Sequence, residues 1–383
     1  MSATTQNSAR SYFDYNATSP LASGVAEAIS QALCEAGNPS SLHREGRRAQ
    51  ALLDTAREAV AMAIGAGALD LVFTSGGTEA NQLGLMGLSR AATRSGPVLM
   101  PPTVHPSLWA AGQAAGAERG GVVSLPVQRD GTLDLEALAE TLASSEARIL
   151  GFSLANHELG AVEDVAAVSA LCKAAGCLLF CDAVQGLGRL DVSALTSLVD
   201  GLSLSAHKIG GPKGVGALWL RPGPAVESLI GGGKQESGRR PGTQAVALIA
   251  GFAAACEVLP ERLADVTRQM ELRDELAAGL ETLGGVLHST ASGLCNTVNA
   301  RFPGVLGELL VTGLDLAGVA ASTGAACSSG TTEASSVLLG IGLTEGEAME
   351  ALRLSIGPGT TAAEVGSLLG ALPPILARAR RFG

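Results

Sequence analysis

The sequence predicts an α/β fold with a mainly parallel central sheet, and three observations carry that expectation. From about residue 70 to 221, apolar runs alternate with segments of helical period, the rhythm of repeated strand–helix units. Hydrophobic residues make up 46% of the chain and aromatics only 3%, with 50 glycines, so the interior must be built from Ala, Leu and Val, which suits helices packed closely on strands. At 383 residues the chain exceeds the ~250–300 at which single cores stop growing, so two domains are expected.

Taken in order, "DLVFTS" precedes "TEANQLGLMGLSRAA", "GPVLM" precedes "HPSLWAAGQAAG", and "GVVSLPV" precedes "LDLEALAETLA". Next come "ARILGFSLA", "VAAVSALCKAAG" and "CLLFCDAV", then "DGLSLSA" and "GVGALWLR". In a parallel sheet, ligands bind outside the carboxyl ends of the strands, so the polar and glycine-rich junctions matter more than the runs. After the "GGGKQESGRRPGT" loop, "AVALIAGFAAAC" reads as a buried helix, short of the ~20 residues needed to cross a bilayer. A shorter strand-rich pattern ("CNTVNARFP", "GLDLAGVAAS") and closing helices follow. The expected division is a large domain over 16–255 and a smaller one over 256–383 joined by 1–15.

The formal charge of −10 argues against binding to a phosphate backbone, which needs clustered Lys and Arg. The basic ending "ARARRFG" is short and reads as a solvated helix end. The start, "MSATTQNSARSYFDYNATSP", lacks the apolar core of a signal peptide, and a cytoplasmic location is expected. Seven cysteines, an odd number without dense spacing, predict free thiols. Cys172, Cys177 and Cys181 form the one cluster. Without CxxC spacing or a nearby histidine they read as core residues, with Cys177 and Cys181 on one face of a strand.

Chemistry gathers at the predicted strand ends. In "FTSGGTEAN" a strand runs through Gly76 and Gly77 into a helix at Thr78, leaving backbone N–H groups and a hydroxyl free to cradle a phosphate. In "CDAVQGLG", Asp182 ends an apolar strand, where a carboxylate is costly unless a cation meets it. A protonated pyridine nitrogen would serve, as would an Arg or Lys. In "SLSAHKIGGPKG", Lys208 sits among few charges at a strand end, where desolvation lowers its proton affinity and suits it to Schiff-base chemistry. In "ASTGAACSSG", Cys327 lies among small polar residues, an unusual place for a thiol. Each feature alone admits a plainer role: a glycine turn, an ion pair, a solvated lysine, an incidental thiol.

Taken together, "YFDYNATSPL", "GNPSSLHREGRRA", "FTSGGTEAN", "NHELGAVED", "CDAVQGLGRLDV", "SAHKIGGPKGVGAL", "GGGKQESGRRPGT", "STGAACSSG" and "LRLSIG" resemble, in order, the cysteine desulfurases of the NifS/IscS-like group within the class V aminotransferases. The resemblance spans Tyr12 to about Gly357. It implies the pyridoxal-phosphate transferase type I fold (aspartate-aminotransferase-like), with a smaller α+β C-terminal domain. It also implies pyridoxal 5'-phosphate as cofactor, L-cysteine as substrate and L-alanine as product.

The resemblance further implies that Lys208 carries the cofactor, Asp182 meets its pyridine nitrogen and Gln185 its ring oxygen. His105 stacks on the ring and assists proton movement; Asn156 lies near the ring oxygen and the substrate. Gly77, Thr78, Ser205 and His207 hold the phosphate. Thr243 reaches the neighbouring subunit's phosphate, which implies a homodimer. Arg353 clamps the substrate carboxylate, a role that guanidinium geometry favours independently. Cys327 accepts the sulfur as a persulfide for an acceptor such as an iron-sulfur scaffold or a sulfur relay protein. The interval from Cys327 to Val337 resembles the longer-loop group of the family, and Gly, Ser and Thr make a segment suited to movement.

The sequence departs from the family where Asn156-His157-Glu158 replaces Asn-Asn-Glu, Glu163-Asp164 replaces Gln-Pro, Arg189 replaces Lys, and Val104 replaces the Glu before the histidine. A selenocysteine lyase or another class V aminotransferase would reuse Lys208, Asp182 and Gln185 but need not keep a cysteine at 327. The intact reactive set argues against a catalytically silent scaffold relative. The first strand–helix unit lacks the GxGxxG of a Rossmann nucleotide site.

Overall fold

The computed structural model describes residues 10–92, 95–147, 149–223, 226–324 and 333–381. Its strands are β1 (Ser11–Tyr12), β2 (Leu71–Thr74), β3 (Val98–Met100), β4 (Val122–Ser124), β5 (Ile149–Ser153), β6 (Leu178–Asp182), β7 (Gly201–Ser205), β8 (Gly216–Leu220), β9 (Val286–Leu287), β10 (Thr297–Arg301), β11 (Val319–Ala320) and β12 (Ala351–Ser355). Helices α1 (Val25–Cys34), α2 (Arg44–Met62), α3 (Gly77–Ala91), α4 (Pro106–Arg119), α5 (Leu135–Ser144), α6 (Val165–Ala175), α7 (Val246–Glu257) and α8 (Leu259–Ala264) accompany β2 to β8. Helices α9 (Val266–Thr282), α10 (Gly307–Leu316), α11 (Ser336–Gly340), α12 (Glu345–Met349) and α13 (Ala362–Ala379) accompany the later strands. The chain divides into a larger unit, Thr18–Asn156 with Val162–Ala264, and a smaller one, Met1–Ala17, His157–Ala161 and Asp265–Gly383.

In the larger unit, seven strands run in the order β2-β8-β7-β6-β5-β3-β4. All neighbouring pairs from β7 through β4 are parallel, and β8 is antiparallel to both β7 and β2. Both faces are covered, which is why the strands read as nearly unbroken apolar runs rather than alternating ones. Along β6, Leu179 and Cys181 enter one core with Leu53, Val60, Val168, Ile249 and Phe252. Phe180 points the other way, into a core with Leu83, Leu88, Leu108 and Ala115 of α3 and α4.

Local signals set the junctions. Asp134 caps α5 by accepting from Glu136 N and Ala137 N, Asp164 caps α6 by accepting from Ala167 N, and α6 stops at Gly176 with φ 66°. Only a residue without a Cβ takes that left-handed turn cheaply. Cys177 lies one residue before β6 rather than within it, and its N–H donates to Cys172 O at 2.9 Å. All three clustered cysteines are buried in one core.

The smaller unit holds the sheet β12-β10-β9, antiparallel throughout, and the parallel pair β1-β11. Phe13, Leu276, Val298, Phe302, Leu310, Leu354 and Leu368 fill its core. The strand expected over "GLDLAGVAAS" begins only at Val319, because Gly313–Leu316 completes α10. Leu310 and Leu314, four residues apart, both face the core there, a helical period that outweighs the short apolar run. The arginines of "ARARRFG" are exposed at the end of α13. Among the described residues no helix is long and apolar enough to cross a membrane.

Candidate active site

Five strands of the larger unit deliver reactive groups at or just beyond their carboxyl ends. β2 leads to Gly77 and Thr78, β3 to His105, β5 to Asn156, β6 to Asp182 and Gln185, and β7 to Ser205, His207 and Lys208. Register fixes one of these directly: Asp182 lies opposite Ser153 of β5 on one side and Ser203 of β7 on the other.

Asp182 is 5% exposed, so its charge needs support. Its Oδ2 accepts from Asn81 Nδ2 at 2.8 Å and its Oδ1 from Val184 N at 3.0 Å. Asn81 is itself held by Ser203 Oγ, which donates to its Oδ1 at 2.6 Å, and its Nδ2 donates to Ser107 Oγ at 3.0 Å. Among the described residues no Lys or Arg forms an ion pair with Asp182. A buried carboxylate steadied by neutral donors fits a cationic ring nitrogen. Asn81 is the site residue that motif reading passes over. It closes the "FTSGGTEAN" string four residues after Gly77, a spacing that puts both on one side of α3.

The segment expected to cradle a phosphate is shaped by close approach. A Cβ at Gly77 would lie 2.9 Å from Val184 Cγ2 and 3.6 Å from Ser205 Cβ, so a larger residue would fill the space between α3 and β7. No side chain caps the start of α3, which leaves its first N–H groups to an anion. Thr78 is exposed beside them and Ser205 is buried. His207 Nδ1 lies 3.2 Å from Thr18 Oγ1. Burial first, then the positive charges of Lys208 and Lys213, push the His207 pKa down to about 4, so the ring is neutral near pH 7.

Lys208 rides a single helical turn, Ala206–Ile209, that follows β7 and ends at Gly210. Ser19 pins this turn: its N–H donates to His207 O at 2.9 Å and its hydroxyl to Lys208 O at 2.8 Å. Gly210 has φ 75°, and a Cβ there would meet Pro20 O at 2.8 Å.

His105 caps α4, its Nδ1 accepting from Ser107 N at 3.1 Å with Ser107 Oγ at 2.7 Å. The neutral ring therefore carries its proton on Nε2. The ring edge meets solvent, yet surrounding protein desolvates it and lowers its pKa; Asp182 opposes this and Lys208 adds to it. Asn156 is buried and donates to Thr103 O at 2.8 Å.

Gln185 is also buried, and Arg189 Nη1 donates both to its Oε1 at 2.7 Å and to its backbone O at 2.9 Å. With the carbonyl oxygen engaged, the amide nitrogen is the end suited to a ligand oxygen. Arg189, a departure from the family pattern, thus fixes the orientation of the Gln185 amide.

Thr243 is exposed on a loop anchored by Glu236. The Glu236 carboxylate accepts from Arg57 Nη1 at 2.8 Å, Arg57 Nη2 at 2.6 Å, Phe73 N at 2.9 Å and Gln244 Nε2 at 3.1 Å. Burial raises its pKa, but the Arg57 bonds outweigh that and hold it below the usual carboxylate range. The anchor holds Glu236 and Ser237 at φ 49° and 58°, conformations that non-glycine residues rarely adopt.

In the smaller unit Arg353 is 5% exposed on β12. Its Nη2 donates to Asp14 Oδ1 at 2.7 Å and its Nη1 to His157 O at 3.2 Å, while Nε has no hydrogen-bond partner among the described residues. Asp14 is a further residue that motif reading left without a role. Cys327 lies outside the described residues.

The Aminotransferase class-V family profile matches residues 11–368. "Cysteine desulfurase IscS 1" of Archaeoglobus fulgidus is 36% identical over 377 residues, covering 96% of this chain and 97% of the relative. "Cysteine desulfurase" of Rhodobacter capsulatus is 39% identical over 375 residues, covering 96% and 97%. Among solved structures, a "NifS-like protein" superposes with a TM-score of 0.89 at 31% identity, covering 96% of this chain and all of that one. "SspA in complex with cysteine" gives 0.79 at 28% identity, covering 92% and 100%.

Proposed function

The chain belongs to the class-V aminotransferase family, and from that premise we propose that it is a pyridoxal-phosphate-dependent cysteine desulfurase, converting L-cysteine to L-alanine and retaining the sulfur on Cys327. The observation that carries the reading is Asp182, a buried carboxylate steadied by Asn81 and a backbone N–H, on the strand next to the one that leads into Lys208. Curated relatives named cysteine desulfurase, at 36% and 39% identity over nearly the whole chain, support the same activity.

The residues fit the cofactor. Gly77, Thr78, Ser205 and His207 take its phosphate, with Thr243 of a second subunit completing that site in a homodimer. Asp182 meets the ring nitrogen, Gln185 and Asn156 the ring oxygen, and His105 the ring face. When bound, pyridoxal phosphate supplies an electron sink next to the substrate's α-carbon.

Arg353 binds the substrate carboxylate through its planar fork. Lys208 Nζ removes the α-proton and later returns a proton to carbon, and the Asp182 charge holds a proton on the ring nitrogen throughout. The Cys327 thiolate attacks the substrate sulfur. A sulfur–sulfur bond forms as the carbon–sulfur bond breaks, the electron pair stays with the three-carbon fragment, and protonation there gives alanine. The persulfide then passes to an acceptor protein, an iron-sulfur scaffold or a sulfur relay. Cys172, Cys181 and Cys256 are buried as unbridged thiols, the state that the proposed reducing, cytoplasmic setting favours.

The test is to measure alanine from L-cysteine for wild type, Lys208→Ala and Cys327→Ser. Wild type should turn over and show a cofactor absorbance band that Lys208→Ala loses, while Cys327→Ser should keep the band and lose turnover. Full desulfuration by Cys327→Ser would sink the persulfide role. Running L-selenocysteine in parallel separates a desulfurase from a selenocysteine lyase.

A further inference from the structure

Among the described residues, six buried side-chain atoms have no hydrogen-bond partner, and four of them lie in one row across the antiparallel sheet of the smaller unit: His288 Nε2, Asn299 Nδ2, Asn299 Oδ1 and Arg353 Nε. Asn299 sits on the central strand β10, opposite Arg353 in the register with β12. On the other side Leu287 of β9 pairs with Ala300, and the next residue, His288, donates its N–H to Asn299 O at 2.8 Å. His288 and Arg353 therefore flank Asn299. All three side chains share one face, because the alternating residues Leu287, Val298, Ala300, Leu352 and Leu354 turn to the apolar core on the other.

Asn299 is 0% exposed, and a buried amide left unpaired at both ends is costly. The orphaned atoms complement one another in order along the row. Arg353 Nε only donates, Asn299 Oδ1 only accepts, Asn299 Nδ2 only donates, and one nitrogen of a neutral histidine accepts. Burial, then the positive charge of Arg301, lowers the His288 pKa, with Glu347 opposing. The ring is thus neutral near pH 7, and with its proton on Nδ1 it accepts at Nε2. Directly opposed residues of an antiparallel pair have Cβ atoms about 4.5–5.5 Å apart, so rotation about side-chain bonds closes the row without moving the backbone.

The terminal nitrogens of Arg353 are held by Asp14 Oδ1 and His157 O. A carboxylate that takes those two nitrogens competes for both contacts, and a guanidinium released from them keeps its plane only if Nε is held from behind. We propose that Asn299 and His288 are positioning residues for Arg353: as its terminal nitrogens turn to the substrate carboxylate, Nε–H donates to Asn299 Oδ1 and Asn299 Nδ2 donates to His288 Nε2. The proposal rests on the reading of Arg353 as the carboxylate clamp. Neither positioning residue touches the substrate, so the row acts on affinity for the carboxylate and not on bond breaking.

The experiment titrates the pyridoxal-phosphate-loaded protein with L-alanine, which carries the carboxylate, and with ethylamine, which lacks it. Binding is followed in the cofactor absorbance band, and KM and kcat for L-cysteine are measured alongside. Asn299→Ala should weaken L-alanine about tenfold and raise KM about as much, with ethylamine affinity and kcat within about twofold of wild type. His288→Ala should weaken L-alanine about threefold, and His288→Gln, whose amide oxygen can accept from Asn299, should recover most of that. In the Asn299→Ala background, His288→Ala should add less than about 1.5-fold, since the row is already broken.

Should Asn299→Ala fail to fold, the His288 variants, at the half-buried end of the row, carry the same test. Wild-type L-alanine affinity in the alanine variants, equal weakening of L-alanine and ethylamine, or fully independent effects at 288 and 299 would overturn the proposal. Arg353→Ala with wild-type affinity for L-alanine would sink the clamp reading beneath it. A wild-type protein that binds L-alanine through this row, yet forms none from L-cysteine, would instead sink the desulfurase reading and leave the positioning role standing.

Discussion

Glu163 is one of the departures from the family pattern that the resemblance implies, and its surroundings turn that departure into a measurable pH dependence. Both carboxyl oxygens lie 3.1 Å from Leu133 N. Burial, reinforced by the negative charges of Asp130 and Asp164 and opposed by the Leu133 hydrogen bond, raises its pKa from 4.5 to about 7. Below 4.5 the group is protonated in folded and unfolded chains alike, and the stability linked to it is fully present. As the pH climbs toward 7 the unfolded chain loses the proton first, so that stability declines until the folded carboxyl also ionises.

At 1.36 kcal/mol per pH unit the full loss is about 3.4 kcal/mol, of which about 2.5 falls between pH 5 and 8. Glu163→Gln keeps an acceptor for Leu133 N and removes the titration. With an unfolding entropy of about 2.1 cal/mol/K per residue over this chain length, 2.5 kcal/mol is about 3 °C in Tm. Scanning calorimetry of both proteins at pH 5 and pH 8 should show Glu163→Gln gaining about that much on wild type as the pH rises. Parallel Tm–pH curves would refute the reasoning, and a gap that widened toward low pH would reverse its sign.

Other substitutions test the remaining contacts. Asn81→Ala takes one of two donors from buried Asp182, and pyridoxal phosphate affinity, followed by absorbance titration, should fall about tenfold. Arg57→Ala strands the buried Glu236 carboxylate; a loss of about 3–5 kcal/mol should appear as a Tm lowered by about 5 °C. Arg353→Lys replaces the fork by a point charge, and steady-state alanine production should show KM for cysteine raised about tenfold with a smaller change in kcat. Arg189→Lys reaches Gln185 with a single ammonium, and the absorbance band of the bound cofactor should shift while the fold, checked by circular dichroism, stays intact.

Much of the larger unit was legible because its signals are local. Each strand is a contiguous run whose length is set by the sheet, and each intervening helix carries its own apolar period. The chemistry-bearing junctions were legible for the same reason, since a strand end, a glycine and a reactive side chain lie within one short string. The strand over "GLDLAGVAAS" was misplaced because a short apolar run carries no period of its own, and packing of Leu310 and Leu314 decided in favour of helix.

What the sequence by itself determined, then, is the order of strands and helices and which residue types stand at the carboxyl ends of the strands. Tertiary structure alone decided which group steadies which: Asn81 on Asp182, Arg57 on Glu236, Ser19 on the Lys208 turn, and Ser335 on Glu158. Those partners are separated by long stretches of chain, and a buried polar group accepts whichever donor the packed elements bring within about 3 Å. Hydrogen-bond geometry at that range depends on sheet register and helix packing, which no short string of residues encodes.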